Sequence, residues 1–107
     1  MTWDEIRTIP SKQLTELLFD AGLAPDGIEC LPCRDGKFFY HPPPRGALWT
    51  PWQKWDDCVY LIERLGCTVL IDSAKAEYLV EMSGISRKAA SIKHIPEVVC
   101  RMALWLR

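Results

Sequence analysis

The chain has 107 residues, a formal net charge of −1 and a pI near 6.1, with 49% hydrophobic and 25% charged residues. These values fit one globular domain over residues 1–107, argue against whole-chain disorder, and supply no global basic field for nucleic acid or an acidic membrane. No apolar run approaches the roughly 20 residues of a membrane-spanning helix. Met1-Thr2-Trp3-Asp4-Glu5 starts acidic, without the apolar stretch of a signal peptide. An odd count of five cysteines without secretory context points to a reduced, cytoplasmic protein.

Thr2-x-x-Glu5 is a capping box, and Pro10 limits the helix it opens to little more than a turn. Ser11 is placed to cap the next helix. Its apolar stripe is Leu14, Leu17, Leu18 and Ala21, and Gly22 supplies the stop. Ile28–Cys33 and Phe38–His41 flank Asp35-Gly36, which predicts an antiparallel hairpin, with Pro32 consigning the first strand to an edge. Pro42-Pro43-Pro44 then gives a stiff extended stretch.

Thr50, Pro51 and Gln53 predict a helix start, with Thr50 as N-cap. Trp52, Trp55, Cys58 or Val59, Ile62 and Leu65 form its apolar stripe, and Gly66 ends it. Trp55, Val59 and Ile62 are expected to be buried. Cys67–Ile71 and Ala76–Met82 read as strands, although Glu77 and Glu81 would also suit a helix. Ser83–His94 reads as a basic connection carrying Arg87, Lys88, Lys93 and His94. Pro96 starts a final helix with the stripe Val99, Met102, Ala103 and Leu106.

Cys30-x-x-Cys33 followed by His41 could supply three ligands of a tetrahedral zinc site, with Cys58 or Cys67 as a fourth. A structural zinc site is usually written as two compact ligand pairs, and the second pair is missing, so no metal and no cofactor is expected. Cys58-x5-Arg64 has cysteine-phosphatase spacing, but the intervening Val-Tyr-Leu-Ile-Glu is helical and apolar, where that chemistry needs a phosphate-cradling loop. No P-loop, GxGxxG or HExxH is present. The reading is of a non-enzyme. Its expected protein-binding surface is the hairpin tip and the segment after it: Phe39, Tyr40, His41, Arg45 and Trp49, of which Tyr, Arg and Trp are the types frequent at interface hot spots. The bland alternative is that Tyr40 and Trp49 fold back over the core.

The stretch Leu48-Trp-Thr-Pro-Trp-Gln-Lys-Trp-Asp-Asp-Cys-Val-Tyr-Leu-Ile-Glu-Arg-Leu65 and the ending Ile95-Pro-Glu-Val-Val-Cys-Arg-Met-Ala-Leu-Trp105 resemble the phage ABA-sandwich domain family, which includes the NinX-like proteins of lambdoid phages. Val99 stands where that pattern has a small residue, and Cys30-x-x-Cys33 is not part of it. The resemblance implies an α+β fold, a small antiparallel sheet packed with about three helices, and a phage or prophage origin in a bacterial cytoplasm. It carries no reaction. The expected function is an accessory protein that binds a host or phage protein, with inhibition of a host or defence protein as one form of it and self-association open. The competing class is a small zinc- or nucleic-acid-binding module resting on Cys30, Cys33, His41 and the basic stretch.

Overall fold

The computed structural model describes residues 1–31, 37–40 and 48–106, leaving aside the side chains of Cys30 and Leu31. Over these residues the fold is α+β, with four α-helices, a two-stranded antiparallel sheet and a three-stranded antiparallel sheet. Helix α1 (Trp3–Arg7) opens on the expected box: Glu5 N–H donates to Thr2 Oγ1 and Thr2 N–H to Glu5 Oε1, both at 3.2 Å. Helix α2 (Ser11–Asp20) buries Leu14 and Leu18. Gly22, at φ +75°, lets the Leu23 N–H return to Leu18 O at 3.0 Å. Ser11 does not cap α2; Pro10 holds that position, and the Ser11 hydroxyl donates to Glu97 instead.

Strands β1 (Ile28–Leu31) and β2 (Lys37–Tyr40) pair antiparallel with Leu31 opposite Lys37, as the hairpin signal predicts. Asp35-Gly36 and the triple proline lie outside the described residues. Helix α3 (Trp55–Leu65) starts later than Thr50-Pro51 implies. Thr50 O accepts from both Gln53 N–H and Lys54 N–H at 3.0 Å, closing a separate turn, and Lys54 is extended at φ −106°, ψ 124°. Starting the helix at Trp55 removes Trp52 from its stripe. The inward face is Asp57, Cys58 and Leu61. Trp55 and Ile62 are only half-buried, and Val59 is 40% exposed, which corrects the expected burial of all three. Gly66, at φ +62°, ends α3 as expected.

Strands β3 (Thr68–Asp72), β4 (Glu77–Met82) and β5 (Ile85–Lys88) form the larger sheet in that order. Glu77 and Glu81 sit on its solvent face, so the strand reading of that segment holds. The basic connection expected over Ser83–His94 is corrected: its first part is a hairpin arm. Ser83 (φ +52°) and Gly84 (φ +78°) make the two-residue turn, where a type I′ loop needs positive φ at both positions.

A 3₁₀ turn (Ile92–His94) leads into α4 (Ile95–Leu106). Helices α1, α2 and α3 and strand β4 all pack on α4. It is therefore buried well beyond the expected stripe, at Ile95, Pro96, Cys100, Arg101 and Leu104 as well as Val99, Met102 and Ala103. The buried guanidinium of Arg101 is satisfied: Nη1 donates to Ile6 O at 2.6 Å and Nη2 to Glu97 Oε1 at 2.7 Å. This ties α1 to α4.

Burial raises the Glu97 pKa, but hydrogen bonds from Ser11 and Arg101 and the charges of Arg101 and His94 outweigh it, leaving the carboxyl below its ordinary 4.5. A carboxyl lowered on folding stabilises at pH above its unfolded value and loses that contribution as pH falls through the folded value. Glu97→Gln is therefore expected to lose stability less steeply than wild type as pH drops below 4.5, measured by denaturation at a series of pH values. Parallel acid limbs for the two proteins contradict this.

The two ends of the fold meet at a half-buried cation. Arg87 Cζ lies 5.0 Å from the Trp3 ring centroid and 4.9 Å from that of Trp105, and those rings are 5.1 Å apart. Cation–π contacts of this kind contribute about 0.5–2 kcal/mol. Arg87→Met, which keeps the aliphatic packing, is expected to lower the unfolding free energy by about 1 kcal/mol. An unchanged denaturation midpoint would show that the guanidinium contributes nothing there.

Candidate functional site

The structure redistributes the residues expected at the binding surface. Trp49 is 0% exposed, and this is a correction: the indole is core, so it presents nothing to a partner. The cause is local. Trp49 N–H donates to Phe38 O at 2.8 Å, Leu48 bridges to Phe39, and these contacts lay the segment after the hairpin along β2. The Trp49 ring then meets Phe38 edge-on at 6.5 Å, and Phe38 packs on Phe19 of α2 at 4.8 Å. Phe39 is half-buried. Tyr40 is also half-buried, and its hydroxyl donates to Asp57 Oδ1 at 2.6 Å. His41 and Arg45 lie outside the described residues.

Asp57 organises this region from inside α3. One carboxylate oxygen accepts from Tyr40 Oη, and the other accepts the Thr50 N–H at 2.9 Å. The carboxylate thus joins β2, the Leu48–Gln53 segment and α3. In sequence Asp57 is one of two adjacent acidic residues, Asp56 and Asp57, with nothing local to separate their roles. The available signal was its place in the first turn of an amphipathic helix, where a carboxylate suits free N–H groups.

Between α2 and this clamped segment runs a cleft of about 530 Å³. Lys12, Gln13, Thr15 and Glu16 of α2 form one wall, Lys37 and Phe38 of β2 another, and Leu48 to Gln53, apart from Pro51, the third. Its base is apolar, from Phe38, Trp49 and the half-buried Leu48 and Trp52. Its rim is polar and exposed, from Lys12, Gln13, Glu16, Lys37 and Gln53. Trp49 Nε1 and Thr50 Oγ1, on two of the lining residues, are buried without a hydrogen-bond partner. An apolar base under a rim bearing both signs of charge suits a side chain or short peptide segment of another protein.

The other candidate chemistry falls only in part on the described residues. Cys33 and His41 lie outside the described residues, and only the backbone of Cys30 is described, in β1. Among the described residues no group of three or more His, Cys, Asp or Glu is placed to hold a metal ion. Cys58 and Cys100 are fully buried between α3 and α4. Burial, with Cys58 alongside, pushes the Cys100 thiol well above its ordinary value. Burial and Cys58 likewise push half-buried Cys67 up to about 11. Buried thiols of this kind are poor nucleophiles. The basic stretch does not gather either. Arg87 lies over two tryptophans, and His94 Nδ1 is 2.7 Å from Ser91 Oγ.

No protein-family model matches the chain, and no similar curated protein or solved structure is found. No helix among the described residues is long and apolar enough to cross a membrane.

Proposed function

We propose that this protein is a phage or prophage accessory protein that binds a host or phage protein through the cleft between α2 and the Leu48–Gln53 segment. The observation that carries the binding reading is the cleft itself: the half-buried Leu48 and Trp52 offer apolar surface over the buried Phe38 and Trp49, ringed by Lys12, Glu16, Lys37 and Gln53. The Asp57 clamp supports it, because a wall held by hydrogen bonds loses little freedom on docking. The phage assignment rests on the resemblance carried by Leu48–Leu65 and Ile95–Trp105.

Affinity capture from bacterial host lysate with wild-type protein and with two folded variants tests this reading. The variants are Trp52→Ala and Lys12→Glu combined with Lys37→Glu. The expected result is a protein retained by wild type and bound about tenfold or more weakly by both variants, as truncating a central aromatic or reversing flanking charges does. Equal capture by all three removes the cleft from the function. Turnover of a substrate by the pure protein removes the binding reading altogether.

A further inference from the structure

Strand β3 lies at the edge of its sheet and, among the described residues, pairs with β4 alone. The ladder shows which of its backbone groups point away from β4. Ala89 N–H donates to Tyr78 O at 2.8 Å, so Tyr78, Val80 and Met82 turn their N–H and C=O toward β5. Leu79 and Glu81 then turn theirs toward β3. Their partners Leu70 and Thr68 are committed to β4, which leaves the N–H and C=O of Val69 and Ile71 directed out of the sheet edge.

The side chains at this edge are unusually apolar. Leu70 is 51% exposed and Ile71 49% exposed, and with Asp72, Glu77 and Leu79 they line a shallow hollow of about 280 Å³. Edge strands are normally protected by lysine, proline or a bulge. Thr-Val-Leu-Ile-Asp has no lysine or proline, pairs residue for residue with β4, and carries its single charge at its end.

We propose that β3 pairs antiparallel with β3 of a second copy about a two-fold axis at Leu70, joining the two three-stranded sheets into one. The strand is self-complementary in that register. The outward groups of Val69 meet those of Ile71 in the second copy, so both Val69–Ile71 pairs exchange N–H···O=C bonds. Leu70 faces Leu70 at the closely spaced position between them. Asp72 faces Thr68, so no like charges are opposed. Leu79 lies beside Leu70 and Lys88 beside Leu79, so the dimer carries one apolar row across its solvent face with a lysine at each end. A slip of one residue would set free groups against committed ones. A two-fold contact of this kind closes on itself.

Sedimentation velocity on the full chain over a range of concentrations tests this, with Leu70→Lys and Leu70→Glu run separately and mixed. Wild type is expected to show a monomer–dimer equilibrium. Each variant, with an unchanged thermal midpoint, is expected to dimerise about tenfold or more weakly, because the axis sets like charges face to face. Mixing the two is expected to restore dimer, since position 70 then opposes Lys to Glu. A wild type that stays monomeric at high micromolar concentration overturns the proposal, as does a dimer that both variants form equally well. So does a mixture no more dimeric than its parts. An edge that instead accepts a strand of a different protein appears as the first of these results.

Discussion

Trp49→Ala is expected to lower the unfolding free energy by about 3–5 kcal/mol, the range for truncating a large core aromatic. The indole is fully buried, packs edge-on against Phe38, and belongs to the core that also holds Leu14, Leu18 and Leu61. Removing it leaves a cavity under the cleft that the clamped Leu48–Gln53 segment cannot collapse to fill. Urea denaturation followed by circular dichroism measures the loss. Trp55→Ala serves as the contrast. Trp55 is half-buried at the start of α3, so its truncation is expected to cost less. A Trp49→Ala loss under about 1 kcal/mol would place the indole at the surface.

Asp57→Ala is expected to cost about 2–4 kcal/mol, because it leaves two donors stranded at once. The Thr50 N–H is buried and the Tyr40 hydroxyl partly so, and both donate to this carboxylate. Asp57→Asn keeps one good acceptor and is expected to fall between alanine and wild type. Tyr40 gives an independent reading of the same clamp. Burial, the hydrogen bond to Asp57 and the Asp57 charge raise its hydroxyl above the ordinary 10.0. Ultraviolet titration of Asp57→Asn is expected to show phenolate forming at lower pH than in wild type. A Tyr40 titration indifferent to the substitution would mean the two groups do not interact.

These residues also show where sequence patterns stop. Signals that act within a few residues were legible: the Thr2–Glu5 box, the glycine stops at Gly22 and Gly66, and the hairpin pairing of Ile28–Leu31 with Lys37–Tyr40. The Thr50-Pro51 start failed because Thr50 to Gln53 closes as a separate turn and Lys54 is extended, so the helix begins only at Trp55. Val59 was placed inward by its spacing from Trp52 and Trp55, whereas the fold turns Asp57, Cys58 and Leu61 inward and leaves Val59 40% exposed. Strand β5 was hidden because Ile85-Ser-Arg-Lys88 looks polar. Its Arg87 turns inward only because Trp3 and Trp105, from the two ends of the chain, stack beneath it. Arg101 was missed for the same reason, since the carbonyl it binds is that of Ile6. Trp49 sits in an irregular segment with no period to report which way it faces. Of the expected surface, Phe39 and Tyr40 are half-buried in β2 and do not line the cleft. Lys12, Glu16, Lys37 and Gln53 of its rim are ordinary surface residues in sequence and converge only in the fold.

The cleft between α2 and Leu48–Gln53 is the docking site proposed for a partner. Site-specific photo-crosslinking tests it most directly, with a benzophenone amino acid placed at Gln53 on the rim and, in a separate variant, at Glu63 on the exposed side of α3. The prediction is one discrete adduct in host lysate from position 53, lost when Trp52→Ala is added, and no such adduct from position 63. Absence of an adduct at position 53, or equal yields of the same adduct from both positions, would contradict it.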